Sequence, residues 1–300
     1  MTAVGLVGLG IMGTAMAGHL LDAGHEVFGH DLVQERAQLL GAAGGTAVPS
    51  AGDAARRADL VITSLPSPEA AERVCAELAG AGRGDLVVVE TSTLPALVKE
   101  RCRDLLDTSG GLLLDCPLSG TGAQALERDV VVYGSGDEPA FEQARPVLET
   151  FSRSVRYLGP FGRGTTMKYV ANLLVAVHNV ATAEAFALGE RAGLEPQQIY
   201  ETIRDGAGSS VIFDKRGRLM VGRDYHPATA KMSMFVKDTD LIALYAAELD
   251  LPTPMLSATR ALYARAVEAG LADADAAALL ELMGTARLSH GQGDERRGVR

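Results

Sequence analysis

The sequence predicts an α/β protein: a doubly wound parallel sheet, followed by an all-α domain that is joined to it through a long helix. Short continuous apolar runs alternate with helical patterns as far as residue 158, as is typical of parallel strands covered on both faces. A glycine-rich turn follows the first apolar run. Beyond the turn-rich segment 159–164 we find no convincing strand, and residues 164–192 have helical spacing without proline.

The glycine-rich turn lies between a predicted strand at 4–7 and a predicted helix at 12–23. It has the pattern G-x-G-x-x-G and consists of Gly8, Leu9, Gly10, Ile11, Met12 and Gly13. The first glycine permits the tight turn, the second lets backbone approach a pyrophosphate, and the third lets helix and strand pack closely. Free N–H groups at the helix start and the positive end of its dipole then face the phosphates. These six residues are predicted to bind a dinucleotide in a Rossmann-type domain.

Asp31 follows Gly8 by 23 residues, directly after the predicted strand 26–30. This is close to the ~20 residues expected before an acid that binds the adenosine ribose. A carboxylate there accepts hydrogen bonds from the ribose hydroxyls and repels a 2′-phosphate, so we predict NAD rather than NADP. Arg36, on the next helix, is within reach of a phosphate in principle, but we interpret it as part of a solvated helix face.

The remaining elements follow from periodicity and turn signals. Further strands are predicted at 59–64, 85–89, 112–115, 130–133 and 155–158, and helices at 68–78, 94–106, 139–150, 196–204, 211–220, 233–249, 255–269 and 273–283. We therefore expect a dinucleotide-binding domain at 1–162, an all-helical substrate and dimerisation domain at 163–288, and a disordered polar tail at 289–300. A helix over 164–192 would be about 43 Å long. Such an apolar helix is usually buried on several sides, which favours a homodimer or homotetramer.

Composition excludes several classes of protein. The net charge of −10, without a basic stripe, argues against a nucleic-acid partner. Three cysteines without C-x-x-C spacing indicate free thiols in a reducing cytoplasm. The six histidines show no metal-ligand spacing, so no metal is expected. The apolar stretch 3–21 contains five glycines and has no basic residue before it, and polar residues interrupt 169–188. Neither is interpreted as a signal peptide or membrane span.

A second group of residues lies where the long helix begins. Lys168 is one turn into this helix, and Asn172 is four residues further on the same face. The positive end of the helix dipole disfavours the charged form of a lysine, which suits proton exchange near neutral pH. Helix position alone favours the simpler interpretation, a lysine whose amine extends to solvent. The loop 115–122 follows a strand and offers small donors to a carboxylate, although an ordinary glycine-rich turn explains it equally well in isolation.

Six segments between Gly5 and Asp238 together carry a family resemblance. They are VGLVGLGIMGTAMAGHLL, ITSLPSP, ETST, DCPLSGTGA, GPFGRGTTMKYVANLL and FVKD. In this order they resemble the β-hydroxyacid dehydrogenase family of 3-hydroxyisobutyrate dehydrogenase-like enzymes. The resemblance implies hydride transfer between a small 3-hydroxy acid and NAD. Within the family, the FVKD stretch is more similar to the L-threonate dehydrogenase branch.

The resemblance also implies roles for single residues. Lys168 matches the catalytic lysine that exchanges the alcohol proton, and Asn172 matches the asparagine that orients the substrate. The remaining matches are Ser119, Gly120 and Thr121 for the substrate carboxylate, Leu65, Pro66 and Thr93 for the nicotinamide end, and Lys237 for a lysine near the cofactor. These roles are expectations that come from the family pattern and not from spacing.

Departures from the family pattern surround the substrate positions. Thr121 stands where a second glycine is common, and Ala171 stands where an asparagine often precedes Asn172. Ala230 replaces an aromatic residue, and Thr239 replaces a leucine. They weaken any assignment of a particular substrate and leave the reaction type in place.

Three other functions are compatible with a dinucleotide-binding domain of this kind. Imine reductases share the architecture but usually lack the lysine, and 6-phosphogluconate dehydrogenase is longer and carries a His-Asn pair in this helix. A non-catalytic dinucleotide-binding scaffold would be expected to have lost either the lysine or the carboxylate loop. Because this chain keeps both features, the dehydrogenase remains the leading hypothesis.

Overall fold

The computed structural model describes residues 1–285; the tail predicted at 289–300 lies outside the described residues. The chain divides into two compact units. The first consists of Met1–Val175 and Lys237–Leu256, and the second of Ala176–Val236 and the chain from Ser257 onward. Three helices contribute residues to both units, and they are named below.

The first unit is built on a six-stranded parallel sheet in the order β3-β2-β1-β4-β5-β6. Its strands are β1 (Ala3–Val7), β2 (Glu26–His30), β3 (Thr46–Ala47), β4 (Leu60–Thr63), β5 (Val87–Glu90) and β6 (Leu112–Asp115). Strand order reverses between β1 and β4, which is the switch point where doubly wound sheets bind ligands. The predicted α/β class and doubly wound sheet are confirmed.

Both faces of this sheet are buried, as the continuous apolar strands predict. In β4, Leu60 and Ile62 pack into one hydrophobic cluster, while Val61 between them packs into the other. Successive side chains of a strand point to opposite faces, so each strand contributes to two cores. The helices that cover the faces are α1 (Ile11–Asp22), α2 (Gln34–Ala42), α3 (Ala51–Arg57), α4 (Pro68–Ala79), α5 (Ala96–Asp107) and α7 (Glu138–Thr150).

A small second sheet follows the first. It consists of β7 (Leu118–Ser119), β8 (Val131–Gly134) and β9 (Ser154–Tyr157), with β7 antiparallel and β9 parallel to β8. The short helix α6 (Gly122–Leu126) lies between β7 and β8. Sequence analysis placed β7 and α6 in one loop, because elements of two and five residues are too short for a periodic signal.

The segment 34–57 also contains elements that the sequence pattern did not reveal. Leu40 is the one buried residue of α2, so that helix has no apolar stripe. The helix α3 is built largely of alanine and glycine, and it begins where Ser50 accepts a hydrogen bond from the Asp53 N–H. The cap marks the start of α3 in the absence of a hydrophobic period, whereas the N-cap of α2, Val33, makes no side-chain hydrogen bond and gives no such signal.

From residue 163 to residue 285 the chain is helical, as predicted. The helices are α8 (Arg163–Arg191), α9 (Pro196–Arg204), α10 (Val211–Gly222), α11 (Met232–Glu248), α12 (Pro254–Glu268) and α13 (Leu279–Thr285). Of these, α8, α11 and α12 contribute to both units. The helix predicted at 273–283 is instead a 3-10 turn, Ala276–Ala278, followed by α13, because the Asp275 carboxylate caps the turn at the Ala277 N–H.

The helix α8 is both long and apolar. Within residues 1–285 it is the one helix whose length and hydropathy would allow it to cross a membrane, and 33% of its most apolar 18-residue window is buried. Long core helices of globular proteins share these two properties. In the second unit, the fully buried Asn179 of α8 donates to Tyr263 Oη and to the Ala276 carbonyl oxygen.

Candidate active site

The glycine-rich loop between β1 and α1 has the shape that a dinucleotide requires. Gly8 has φ +92°, and a methyl group there would overlap the Ser64 carbonyl oxygen. A methyl group at Gly13 would overlap the Gly8 carbonyl oxygen, which explains why helix and loop can approach so closely. No atom lies within 4 Å of a Cβ position at Gly10. Gly10 is the N-cap of α1, so this open space lies at the start of the helix, where it fits the approach of a pyrophosphate.

The carboxylate of Asp31 lies against the glycine-rich loop. Its Oδ2 accepts the Leu9 N–H at 2.7 Å, and its Oδ1 accepts the Val33 N–H at 2.7 Å. Arg36 Nη1 is 3.3 Å from the same Oδ2. The structure therefore brings together the predicted ribose acid, the loop and an arginine that sequence analysis set aside.

Leu65, Pro66 and Thr93 follow β4 and β5 at the carboxyl edge of the large sheet. The Leu65 N–H donates to Ser92 Oγ at 2.7 Å, which ties the two strand ends together. The Thr93 carbonyl oxygen accepts a hydrogen bond from Lys237 Nζ at 3.1 Å. Lys237 of α11 thus lies beside the predicted nicotinamide segment, although more than 140 residues separate them in sequence.

Lys168 is buried, in contrast to the simpler interpretation of a lysine that extends to solvent. Its Nζ donates to the Leu118 carbonyl oxygen at 2.7 Å, directly before Ser119. Burial lowers the pKa of Lys168 to about 8; the negative charge of Asp238 opposes this shift, and the positive charges of Lys237 and Lys99 add to it. A lysine with this pKa exchanges a proton near neutral pH.

Asn172 lies one turn beyond Lys168, and its amide is bound to a carboxylate. Its Nδ2 donates to Asp238 Oδ2 at 2.8 Å. The other oxygen of Asp238 is buried without a hydrogen bond, 3.4 Å from Lys237 Nζ. Asp238 was not among the predicted site residues, although it ends the FVKD segment that carries the family resemblance. That segment was the available signal for it.

The loop predicted to hold a carboxylate is more ordered than its composition suggests. Ser119 belongs to β7 and pairs with Val131. Thr121 is the N-cap of α6: its Oγ1 accepts the Gln124 N–H, and its own N–H donates to Gln124 Oε1 at 3.1 Å. Both polar groups of Thr121 therefore serve the capping box, which is a structural role that the sequence pattern did not reveal.

This loop also lies against the cofactor loop. A methyl group at Gly122 would overlap the side chain of Ile11, the first residue of α1. Lys168 binds Leu118 at the other end of the same loop. The segment 118–122 therefore connects the glycine-rich turn with the buried amine. The first unit alone contains every residue of the predicted site.

No group of three or more histidine, cysteine, aspartate or glutamate residues is arranged for a metal ion within residues 1–285. The donors that converge at the site are backbone N–H groups, a buried amine and an amide. Together with the doubly wound sheet, they define the class of dinucleotide-dependent oxidoreductases.

Comparison with known protein families agrees with this class along nearly the whole chain. Residues 3–159 match the family described as the NAD-binding domain of 6-phosphogluconate dehydrogenase. Residues 162–283 match the family described as NAD-binding of NADP-dependent 3-hydroxyisobutyrate dehydrogenase.

Individual relatives show the same. L-threonate dehydrogenase of Cupriavidus necator is 33% identical over 284 residues, covering 93% of this chain and 95% of the relative. A probable 3-hydroxyisobutyrate dehydrogenase of Mycobacterium tuberculosis is 34% identical over 209 residues, covering 70% of this chain and 71% of the relative. The solved structure of Mycobacterium tuberculosis 3-hydroxyisobutyrate dehydrogenase with L-serine has a TM-score of 0.87 at 30% identity, covering 94% and 99% of the two chains.

The chain belongs to the β-hydroxyacid dehydrogenase family, the 3-hydroxyisobutyrate dehydrogenase-like NAD(P)-dependent oxidoreductases that act on CH–OH groups. The predicted resemblance is confirmed. An imine reductase of Streptomyces aurantiacus has a TM-score of 0.63 at 23% identity, and this likeness shows a shared fold only.

Proposed function

We propose that this protein transfers hydride between a small 3-hydroxy acid and NAD, with Lys168 as the general acid and base. The observation that carries the proposal is the buried Lys168 amine, which donates to the Leu118 carbonyl oxygen beside the glycine-rich loop and whose pKa burial lowers to about 8. The relatives named as L-threonate and 3-hydroxyisobutyrate dehydrogenases support the substrate class.

The cofactor would be held by the residues of the glycine-rich loop, Gly8 to Gly13, and by Asp31. When bound, NAD supplies the carbon that accepts or returns the hydride. Leu65, Pro66 and Thr93 would line the nicotinamide end, and Lys237 would stay beside them through its bond to Thr93. A carboxylate at Asp31 favours ribose hydroxyls over a 2′-phosphate, which supports NAD over NADP.

In the oxidation direction, neutral Lys168 accepts the alcohol proton at Nζ. In reduction, the protonated amine returns it to the carbonyl oxygen. Asn172, fixed by Asp238, would orient the substrate through its amide. For the substrate carboxylate, Ser119 and Gly120 offer a hydroxyl and a backbone N–H, whereas Thr121 would contribute chiefly by shaping the loop.

The assembly and location of the protein belong to the same proposal. Met167, Val170 and Leu174 lie at spacings of three and four residues on α8 and are 39%, 54% and 49% exposed. This apolar stripe supports a homodimer or homotetramer. The three cysteines are free and buried, which supports a cytoplasmic location. We also propose residues 1–162 as the cofactor domain and 163–288 as the helical domain.

The test is NAD reduction by the purified protein across a panel of hydroxy acids: L-threonate, 3-hydroxyisobutyrate, L-serine and glycerate. Turnover with at least one of them is expected, with a higher kcat/KM for NAD than for NADP. Binding of NAD without turnover on any member would contradict the proposal and favour a non-catalytic scaffold. Turnover of cyclic imines with NADPH in place of hydroxy acids would favour an imine reductase.

A further inference from the structure

Three ionisable side chains are buried together at the carboxyl ends of β5 and β6. Lys99 of α5 places its Nζ 2.6 Å from Glu90 Oε2 and 2.8 Å from Asp115 Oδ1. None of the three side chains is more than 2% exposed. Burying charges is costly even when they are paired, and the proposed reaction uses none of these groups. The burial of these three charged groups therefore needs a separate explanation.

The two carboxylates face each other across the sheet. Glu90 and Asp115 are register partners on neighbouring parallel strands. Like charges placed opposite each other on adjacent strands destabilise the pair. The Lys99 amine binds both, and although burial opposes its charge, Asp115 and Glu90 outweigh that effect and raise the pKa of Lys99 above its ordinary value. Lys99 is therefore a cation that offsets the repulsion between the two carboxylates.

Asp115 connects this cluster to the first turn of α8. Its Oδ2 accepts the Thr165 N–H at 2.7 Å, and its Oδ1 accepts the Thr165 hydroxyl at 2.8 Å. An ionised carboxylate is an acceptor only, so it can hold both of these donors together with the Lys99 amine.

The same turn of α8 is pressed against the sheet. A methyl group at Gly164 would overlap the carbonyl oxygens of Tyr133 and Asp115, and the Gly164 N–H donates to Ser135 Oγ at 2.9 Å. Thr165 precedes Lys168 by three residues, which is about one helical turn. Because both residues lie in α8, a displacement of Thr165 would also displace Lys168.

We propose that Lys99 is a positioning residue for Lys168: its amine binds Glu90 and Asp115 together, and Asp115 fixes the helical turn that carries the Lys168 amine. This inference rests on the proposed role of Lys168 as the acid and base. Lys99 itself touches neither substrate nor cofactor. Its positive charge helps to lower the pKa of Lys168, and its positioning effect acts through Asp115 and Thr165.

The test compares four variants in steady-state oxidation kinetics with NAD and the best hydroxy acid of the panel, at a pH high enough for Lys168 to be neutral in each of them. Lys99→Met should lower kcat by about tenfold or more, because small misplacements of a catalytic group are costly. The KM for NAD should change less than about twofold, because the cofactor loop is untouched. Lys99→Met/Glu90→Gln should recover much of the lost kcat, because the second substitution removes the carboxylate that faces Asp115 across the sheet.

That recovery separates positioning from ordinary packing. If Lys99 only filled space, the second substitution would add damage, and the double variant would be slower than Lys99→Met. The matched control is Cys102→Ala, another fully buried residue of α5, which should leave kcat within about twofold of wild type. Thr165→Val removes one bond to Asp115 at nearly constant shape, and it should lower kcat severalfold with an unchanged KM for NAD.

Each outcome decides. Wild-type kcat in Lys99→Met, or a double variant slower than Lys99→Met, would overturn the inference. If Lys99→Met does not fold, Thr165→Val decides in its place, and wild-type kcat there would overturn it. Wild-type turnover in Lys168→Ala would instead remove the proposed function. An inactive Lys168→Ala together with a fully active Lys99→Met would remove only the positioning role.

Discussion

Asn172 donates its side-chain amide to Asp238 Oδ2 across 2.8 Å, which joins α8 to α11 one helical turn from Lys168. The pair fixes the direction of the Asn172 amide and places a carboxylate near the buried amine. Asp238 opposes the effect of burial on Lys168 and is therefore expected to influence the pH dependence of the reaction.

Lys168→Ala should lower kcat by at least ~100-fold, which is the usual contribution of a general acid or base. NAD binding, followed by fluorescence titration, should stay close to wild type because no predicted cofactor contact is removed. Lys231→Ala, which removes a half-exposed lysine paired with Asp273, is the control and should retain activity. Near-normal turnover in Lys168→Ala would exclude Lys168 from this role.

The pKa of Lys168, lowered by burial to about 8, predicts opposite pH profiles in the two directions. Oxidation needs the neutral amine, so kcat should rise as the pH increases through about 8. Reduction needs the protonated amine, so kcat should fall over the same interval. Measuring kcat in both directions on one buffer series checks this. Parallel profiles would show that another group sets the pH dependence.

Asp238→Asn should move the midpoint of the oxidation profile to lower pH. The carboxylate raises the pKa of Lys168 against the effect of burial, so its removal leaves the lowering causes in place. The amide of the new side chain can still accept from Asn172, which limits structural damage. Glu248→Gln, an exposed carboxylate on the same helix, should leave the midpoint where it is. A shift to higher pH in Asp238→Asn would contradict the assignment.

Asp31→Ser should shift cofactor preference toward NADP, because it removes the carboxylate and leaves Arg36 close to the ribose position. We expect the ratio of kcat/KM for NADP to that for NAD to rise about tenfold or more. A charge contact between Arg36 and a 2′-phosphate is strong enough for a change of this size. Adding Arg36→Ala should reverse most of the gain. An unchanged ratio in Asp31→Ser would mean that other residues choose the cofactor.

Gly10→Ala should fold normally and bind NAD poorly. No protein atom lies within 4 Å of the added methyl group, whereas a pyrophosphate would have to approach there. Thermal unfolding should therefore be close to wild type while the KM for NAD rises. Gly18→Ala, an equally open position later in α1, is the matched control and should leave KM unchanged. Wild-type KM in Gly10→Ala would place the pyrophosphate elsewhere.

The sequence predicted those elements whose burial produces a recognisable pattern of apolar residues. Val61 between Leu60 and Ile62 belongs to a run that is apolar on both sheet faces, and such runs identify central parallel strands. The helices α2 and α6 could not be found in this way. The helix α2 buries a single leucine, and α6 spans only five residues, so neither has an apolar stripe in its sequence.

The site residues that could be predicted from the pattern alone are those that lie close together in the sequence. The glycine-rich turn and Asp31 lie within one strand-helix-strand unit, where spacing carries geometry. The link between Thr93 and Lys237 joins residues 144 positions apart, and only the family resemblance indicated it. Lys99 gave no signal, because a lysine on an amphipathic helix is usually solvated and its partners lie on two other elements.

The hydrogen bond from Lys168 Nζ ends on the Leu118 carbonyl oxygen and not on a carboxylate. A carbonyl is a neutral acceptor, so the amine can lose its proton without leaving an unbalanced anion where that proton was held. Burial and the charge of Asp238 act on the amine in opposite directions, and the resulting pKa of about 8 leaves both of its forms accessible near neutral pH. A catalyst of this design would run forward or backward with comparable ease, and the supply of alcohol, carbonyl compound and reduced nucleotide around it would decide the net flow.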